Sequence, residues 1–163
     1  MNFPIDKKLE TQLNAVFDAR TRMSKIQVLP KSIPQTRALA KELFQLQRLS
    51  IKDYYFLPVA KNGTNLPDAD GVFHFVIFTV DPCAIYCGLK KSQQHVRAIG
   101  GHASITGNAP VYMAGDFTIK QGELMSWNSG SGHYRPQKKH VDNNLLPPVQ
   151  LLLPRHLYRS YWE

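Results

Sequence analysis

The chain is predicted to fold as an α+β domain in which two N-terminal helices pack on a curved, mainly antiparallel β-sheet. Three observations carry this expectation. Apolar residues recur at helical spacing over the first fifty positions, aromatic and β-prone runs follow, and a Gly-containing connection joins the last two runs as a hairpin. With 163 residues and 43% apolar content, one core can bury roughly two thirds of the surface that the unfolded chain would expose. A single domain over residues 1–163 is expected, divided into a helical part (1–50), a β-rich part (51–136) and an irregular tail (137–163).

The helical part rests on two stripes. Ile5, Leu9, Leu13, Val16 and Phe17 line one face of a segment running from Ile5 to about Arg22. Ser32 and Gln35 have capping-box spacing, Pro34 fits a first turn, and Leu39, Leu43, Leu46 and Leu49 then mark one face of a second helix. Both stripes are read as core contacts.

Sheet begins after Ile51. Tyr54 to Ala60 reads as a strand that Pro58 places at an edge or ends early. Asn62 to Gly71 is rich in turn formers and reads as an exposed loop. The run VFHFVIFTV, Val72 to Val80, is nearly continuous in apolar residues and so reads as a central strand. Asp81-Pro82 turns the chain, and Ala84 to Cys87 can pair back. Lys90 to Gly100 is polar and reads as a loop or short helix. A short strand is expected near His102 to Thr106, then a turn at Gly107-Asn108 and a hairpin of Val111 to Ile119 with Glu123 to Trp127. Pro147, Pro148 and Pro154 around Leu145 to Leu153 predict an extended or irregular tail.

Composition bounds the function. No run of eighteen apolar residues occurs, so no membrane span is expected, and the acid-containing N-terminus lacks the apolar run of a signal peptide. The expected setting is the cytoplasm of the producing cell, or delivery without a cleaved signal peptide. Cys83 and Cys87, four residues apart, have poor geometry for a disulfide and are expected to be reduced and buried. No second Cys/His pair has metal spacing and His74 stands alone, so no metal site is expected. The formal charge of +8 is compatible with an anionic ligand or an acidic host protein as partner, though the spread-out basic residues read first as a generally solvated surface. Nucleic acid ranks lower, because the basic residues are spread out with no dense stripe or interleaved aromatics.

Candidate chemistry gathers between Gly101 and Pro136, where GGHAS, AGD and SGHYRP mix glycine with titratable and hydroxyl side chains. On a strand, His102 and Ser104 would share a face, as would Ala114 and Asp116 on the next. If the strands were neighbours, Asp116 would approach His102 or Ser104, and the hairpin would return the chain towards His133. A carboxylate beside an imidazole fixes its tautomer and tunes it for proton transfer near neutral pH. His102, Ser104, Asp116, His133 and Tyr134 are therefore the candidate catalytic residues, with Ser131 and Arg135 as candidate ligand contacts. No G-x-S-x-G elbow accompanies Ser104 or Ser131.

The order G-H-x-S, A-G-D, S-G-H-Y-R-P resembles a motif region of plant calmodulin-binding IQ-motif proteins and of bacterial effector-like or toxin-like proteins. The likeness spans about His102 to Pro136, and Ala103 and Asp116 stand where the motif has Ser and Glu. It implies an effector-like or toxin-like domain, a transferase or hydrolase acting on a host or competitor target. It carries no calmodulin binding, since Ile26-Gln27 lacks the basic residues of an IQ motif. Two alternatives stay open. One is a non-catalytic module that docks an acidic partner through its basic surface. The other is an ADP-ribosyltransferase-like enzyme using NAD, with His102, Ser104 and Asp116 in its active site; the cofactor is otherwise unassigned.

Overall fold

A computed structural model describes residues 7–11, 14, 21–63, 70–90 and 98–161. Residues 7–11, 14 and 21 are helical and Arg22 is in a turn, while residues 5, 6, 12, 13 and 15–20 of the expected first helix lie outside the described residues. So do residues 64–69 of the expected loop and 91–97 of the polar segment.

Six antiparallel strands form one sheet: β1 (Phe44–Ser50), β2 (Asp53–Pro58), β3 (Gly71–Phe78), β4 (Tyr86–Leu89), β5 (Val111–Lys120) and β6 (Glu123–Trp127). Their order is β2-β1-β4-β3-β5-β6, so the apolar β3 run is central and β2, ended by Pro58, is an edge. The sheet curls until its edge meets the β5–β6 turn, where the Tyr54 amide donates to the Gly122 carbonyl at 2.8 Å. Inside the curl the Phe56 and Phe73 rings stack with centroids 4.4 Å apart, and Phe117 lies 5.3 Å beyond Phe73.

The second helix is replaced by β1. Only Ala40–Glu42 forms a 3-10 turn before the strand starts. Leu39 and Leu49 are exposed, while Phe44 and Leu46 are buried beside less buried Gln45 and Gln47. Inside the segment the burial period is therefore two, and sheet pairing outweighs the wider Leu spacing. The expected cap residues serve elsewhere: Ser32 Oγ donates to the Leu29 carbonyl, and Gln35 Oε1 accepts from the Ser104 amide.

The segment His102–Thr106 is also corrected. It forms a short helix, α1, closed by Gly107 in the left-handed region (φ 60°). It lies over β3 and β4 on the outer face of the sheet, where Ile105 packs with Val76, Ala114 and Ile26 in a second apolar cluster.

The tail is helical rather than extended. Lys138–Asn143 forms α2 and Pro147–Leu152 forms α3, with Pro147 and Pro148 in the first turn, where the missing amide costs nothing. Val141, Leu145, Val149 and Leu152 join the aromatic interior, so these helices close the open side of the curl. Among the described residues no helix is long and apolar enough to cross a membrane.

Candidate functional site

His74 is the one strongly polar side chain in the apolar centre of β3, and antiparallel register pairs it directly with Asp116 of β5. Directly paired residues point to the same face, here the outer one. Nδ1 of His74 lies 2.7 Å from Oδ1 of Asp116, and both side chains are about nine-tenths buried. Because a carboxylate only accepts, Nδ1 carries the proton and Nε2 holds the lone pair when the ring is neutral.

His102, at the start of α1, closes the site from above. Its ring meets that of His74 edge to face with centroids 4.7 Å apart. Nε2 lies 2.6 Å from the Gly115 carbonyl and 3.4 Å from Asp116 Oδ1. A carbonyl at that distance requires an N–H, so this nitrogen is also a donor. Lys90, half exposed at the end of β4, donates to Asp116 Oδ2 at 3.2 Å.

These contacts set the charges. Burial alone would raise the Asp116 carboxyl, but the hydrogen bonds from His102 and His74 and their charge outweigh it and hold the acid well below the usual range. Burial lowers His102, only partly offset by Asp116, so its neutral form is favoured. The result is an ionised carboxylate between an oriented imidazole, a neutral imidazole and an ammonium group at the rim.

Asn128 braces the acid from behind. Its amide donates to the Asp116 carbonyl at 2.9 Å, and its Oδ1 accepts from the Asp116 amide at 3.1 Å. The same Oδ1 accepts from Gly130 at 2.8 Å, which ties the start of SGSGHY to the AGD strand.

Of the sequence candidates, only His102 and Asp116 come together. The premise of neighbouring strands fails, since α1 replaces the first and β3 lies beside β5. Ser104 is buried, and its Oγ is the one buried side-chain polar atom without a hydrogen bond among the described residues. His133 is held elsewhere, donating from Nε2 to the Ile33 carbonyl at 2.7 Å. Tyr134 is buried, donates to the Ala109 carbonyl and meets Thr106 Oγ1, each at 2.6 Å. Ser131 is buried in the turn, where its carbonyl accepts from the Arg135 amide. Arg135 is exposed. Cys87 is buried as expected, but Cys83 is exposed.

His74 is the residue the sequence reading set aside. Its signal was present: an imidazole inside a buried strand needs a polar partner, and pairing VFHFVIF antiparallel to VYMAGDF places Asp116 opposite it. His74, His102 and Asp116 also form a group whose donor atoms lie within 4.8 Å of one another, close enough for a metal ion. The donor set fits poorly in this arrangement. The ring nitrogens that contact Asp116 and the Gly115 carbonyl carry protons that a metal ion would have to displace, and the Lys90 ammonium already donates to Oδ2.

Comparison with protein-family models, with curated proteins and with solved structures finds no match to this chain.

Proposed function

We propose that the chain is a proton-transfer enzyme of the transferase or hydrolase type, with His74 as general base. The observation that carries this reading is the 2.7 Å contact between His74 Nδ1 and Asp116 Oδ1. It orients the ring with its lone pair on Nε2 and stabilises the imidazolium formed when that nitrogen takes a proton. His102, kept neutral by burial, positions Asp116 and limits water around the pair. Lys90 supplies positive charge where an anionic intermediate or substrate group would sit. The effector-like or toxin-like setting rests on the motif order alone.

Reactivity of the lone pair tests the reading without a known substrate. Diethyl pyrocarbonate acylates neutral imidazole, and mass spectrometry locates the product. His74 should be modified in the folded protein, and Asp116→Asn should slow that reaction at least tenfold while His133→Ala leaves it unchanged. An unreactive His74, or submicromolar zinc binding lost in both His74→Gln and His102→Gln, would replace the acid–base reading with a structural or metal role.

A further inference from the structure

The helices α2 and α3 close the open side of the curl without filling it. Between them, β6 and the 3-10 turn Arg155–Leu157 lies a pocket of about 350 Å³, at the lower end of the range for small-molecule sites. Its floor is apolar. Val141, Leu145 and Leu153 are buried there beside the Trp127 ring, whose Nε1 donates to the Pro154 carbonyl at 2.7 Å and so has no hydrogen left for a ligand. The indole therefore offers contact area alone.

The rim is polar and internally matched. Asp142 and Arg155 are the charged residues among those lining the pocket, and Arg155 Nη1 lies 2.9 Å from Asp142 Oδ1. Lys138 donates to the other oxygen of the same acid at 3.2 Å, and the Arg155 guanidinium also lies over the Tyr158 ring, 5.2 Å from its centroid. Gln150 Nε2 donates to the Leu145 carbonyl at 2.7 Å, which leaves its Oε1 as an acceptor at the same rim. These contacts do not exhaust the ion pair, because a carboxylate has further lone pairs and a guanidinium further N–H groups. An uncharged group with a donor beside an acceptor can add to both partners without separating them. A lone charge would be drawn to one partner and repelled by the other.

We propose that this pocket binds a small uncharged aromatic molecule carrying a donor beside an acceptor, the pattern of an aromatic amide or a nucleobase, with its ring against Trp127 and its polar edge on Asp142 and Arg155. Trp127, Val141, Leu145 and Leu153 belong to the interior of the curl, whereas His74 faces outwards, so the site is independent of the His74 reading.

Two-dimensional NMR of the full chain tests the proposal by following the indole N–H of Trp127, which Trp162→Phe assigns. The probes are adenine and the set benzamide, benzoate and benzamidinium, which share one shape and differ in charge. Saturable shifts at that N–H and at amides between 141 and 155 are expected for adenine and benzamide, with each ion binding about tenfold more weakly than benzamide. Asp142 is exposed, so Asp142→Asn should fold, and by freeing Arg155 and Lys138 it should reverse the order in favour of benzoate. No saturable shift up to about 10 mM adenine or benzamide, a range that covers even weak sites, equal binding of the same-shaped probes, or an unchanged order in Asp142→Asn would overturn it.

Discussion

The main-chain carbonyl oxygen of Asn128 occupies the space that a side chain on Gly115 would need: a Cβ there would lie 1.8 Å from it. Gly115 lies between the acid and the strand core, and its own carbonyl receives the His102 ring proton. Its lack of a side chain lets Asn128 reach both the Asp116 carbonyl and its amide.

Gly115→Ala should therefore destabilise the fold by about 3 kcal/mol or more, above the usual cost of an added core methyl, because the clash is with backbone. Asp116 should lose its alignment as well. Thermal unfolding measures the first effect and diethyl pyrocarbonate labelling of His74 the second. A variant with parental stability and labelling would show that the 127–130 segment can move aside freely.

Asp116→Asn separates charge from shape. Lys90 requires an acceptor, so the amide oxygen should turn towards it and present the NH₂ group to His74. The ring would then accept at Nδ1 and carry its proton on Nε2, which removes the proposed base. Nitrogen-15 shifts of the imidazole should report the Nδ1–H tautomer in the parent and the Nε2–H tautomer in the variant. Stability should fall by about 2 kcal/mol, the scale of a hydrogen bond to a charged group. An Nε2–H tautomer in the parent protein would remove the basis for His74 as base.

The sheet was legible where side-chain pattern and pairing agree. The β3 run is apolar on both faces because it is central, and Gln121-Gly122 takes positive φ at both positions in the hairpin turn. Reading failed where a short segment obeys a long-range contact. FQLQRLS becomes a strand because it pairs with both β2 and β4, which no local spacing encodes. GHAS becomes a helix because Gln35, far away in sequence, accepts from the Ser104 amide. The site was half legible for the same reason. Asp116 and His102 were visible as a polar cluster, but the third member required knowing that β3, and not the 102–106 segment, lies beside β5.

Acid should weaken the fold in two stages. Burial lowers His102 from its ordinary 6.5, and burial with the neighbouring Lys139 lowers His140 in the same direction. The unfolded chain then binds more protons than the folded one, so this stability is fully present above about pH 6.5 and is lost as pH falls towards the folded values. Each group contributes at most about 1.4 kcal/mol per pH unit across that window. Asp116, held below its ordinary 3.8, adds a second loss with the same sign below about pH 4. Urea unfolding at about pH 7.5, 6.5 and 5.5 should show the first decline, with a shallower slope in His102→Gln. A flat profile in the parent would mean that the buried imidazoles bind protons as readily in the folded chain as in the unfolded one.

The two cysteines should report opening of the sheet. Cys83 is exposed in the β3–β4 turn and should react with a thiol reagent without any opening of the sheet. Cys87 is fully buried where β4 pairs with Phe44 of β1 on one side and Phe75 of β3 on the other. Burial pushes its thiol well above the ordinary value, and its Sγ lies 3.5 Å from the Phe44 carbonyl. Reaction at Cys87 needs both the thiolate and separation of β1 or β3 from β4, so its protection should approach the global unfolding free energy. Cys83→Ser isolates this slow phase. Raising denaturant should accelerate it with a dependence close to that of global unfolding, whereas a fast, denaturant-independent reaction at Cys87 would place β4 in a locally opening part of the sheet.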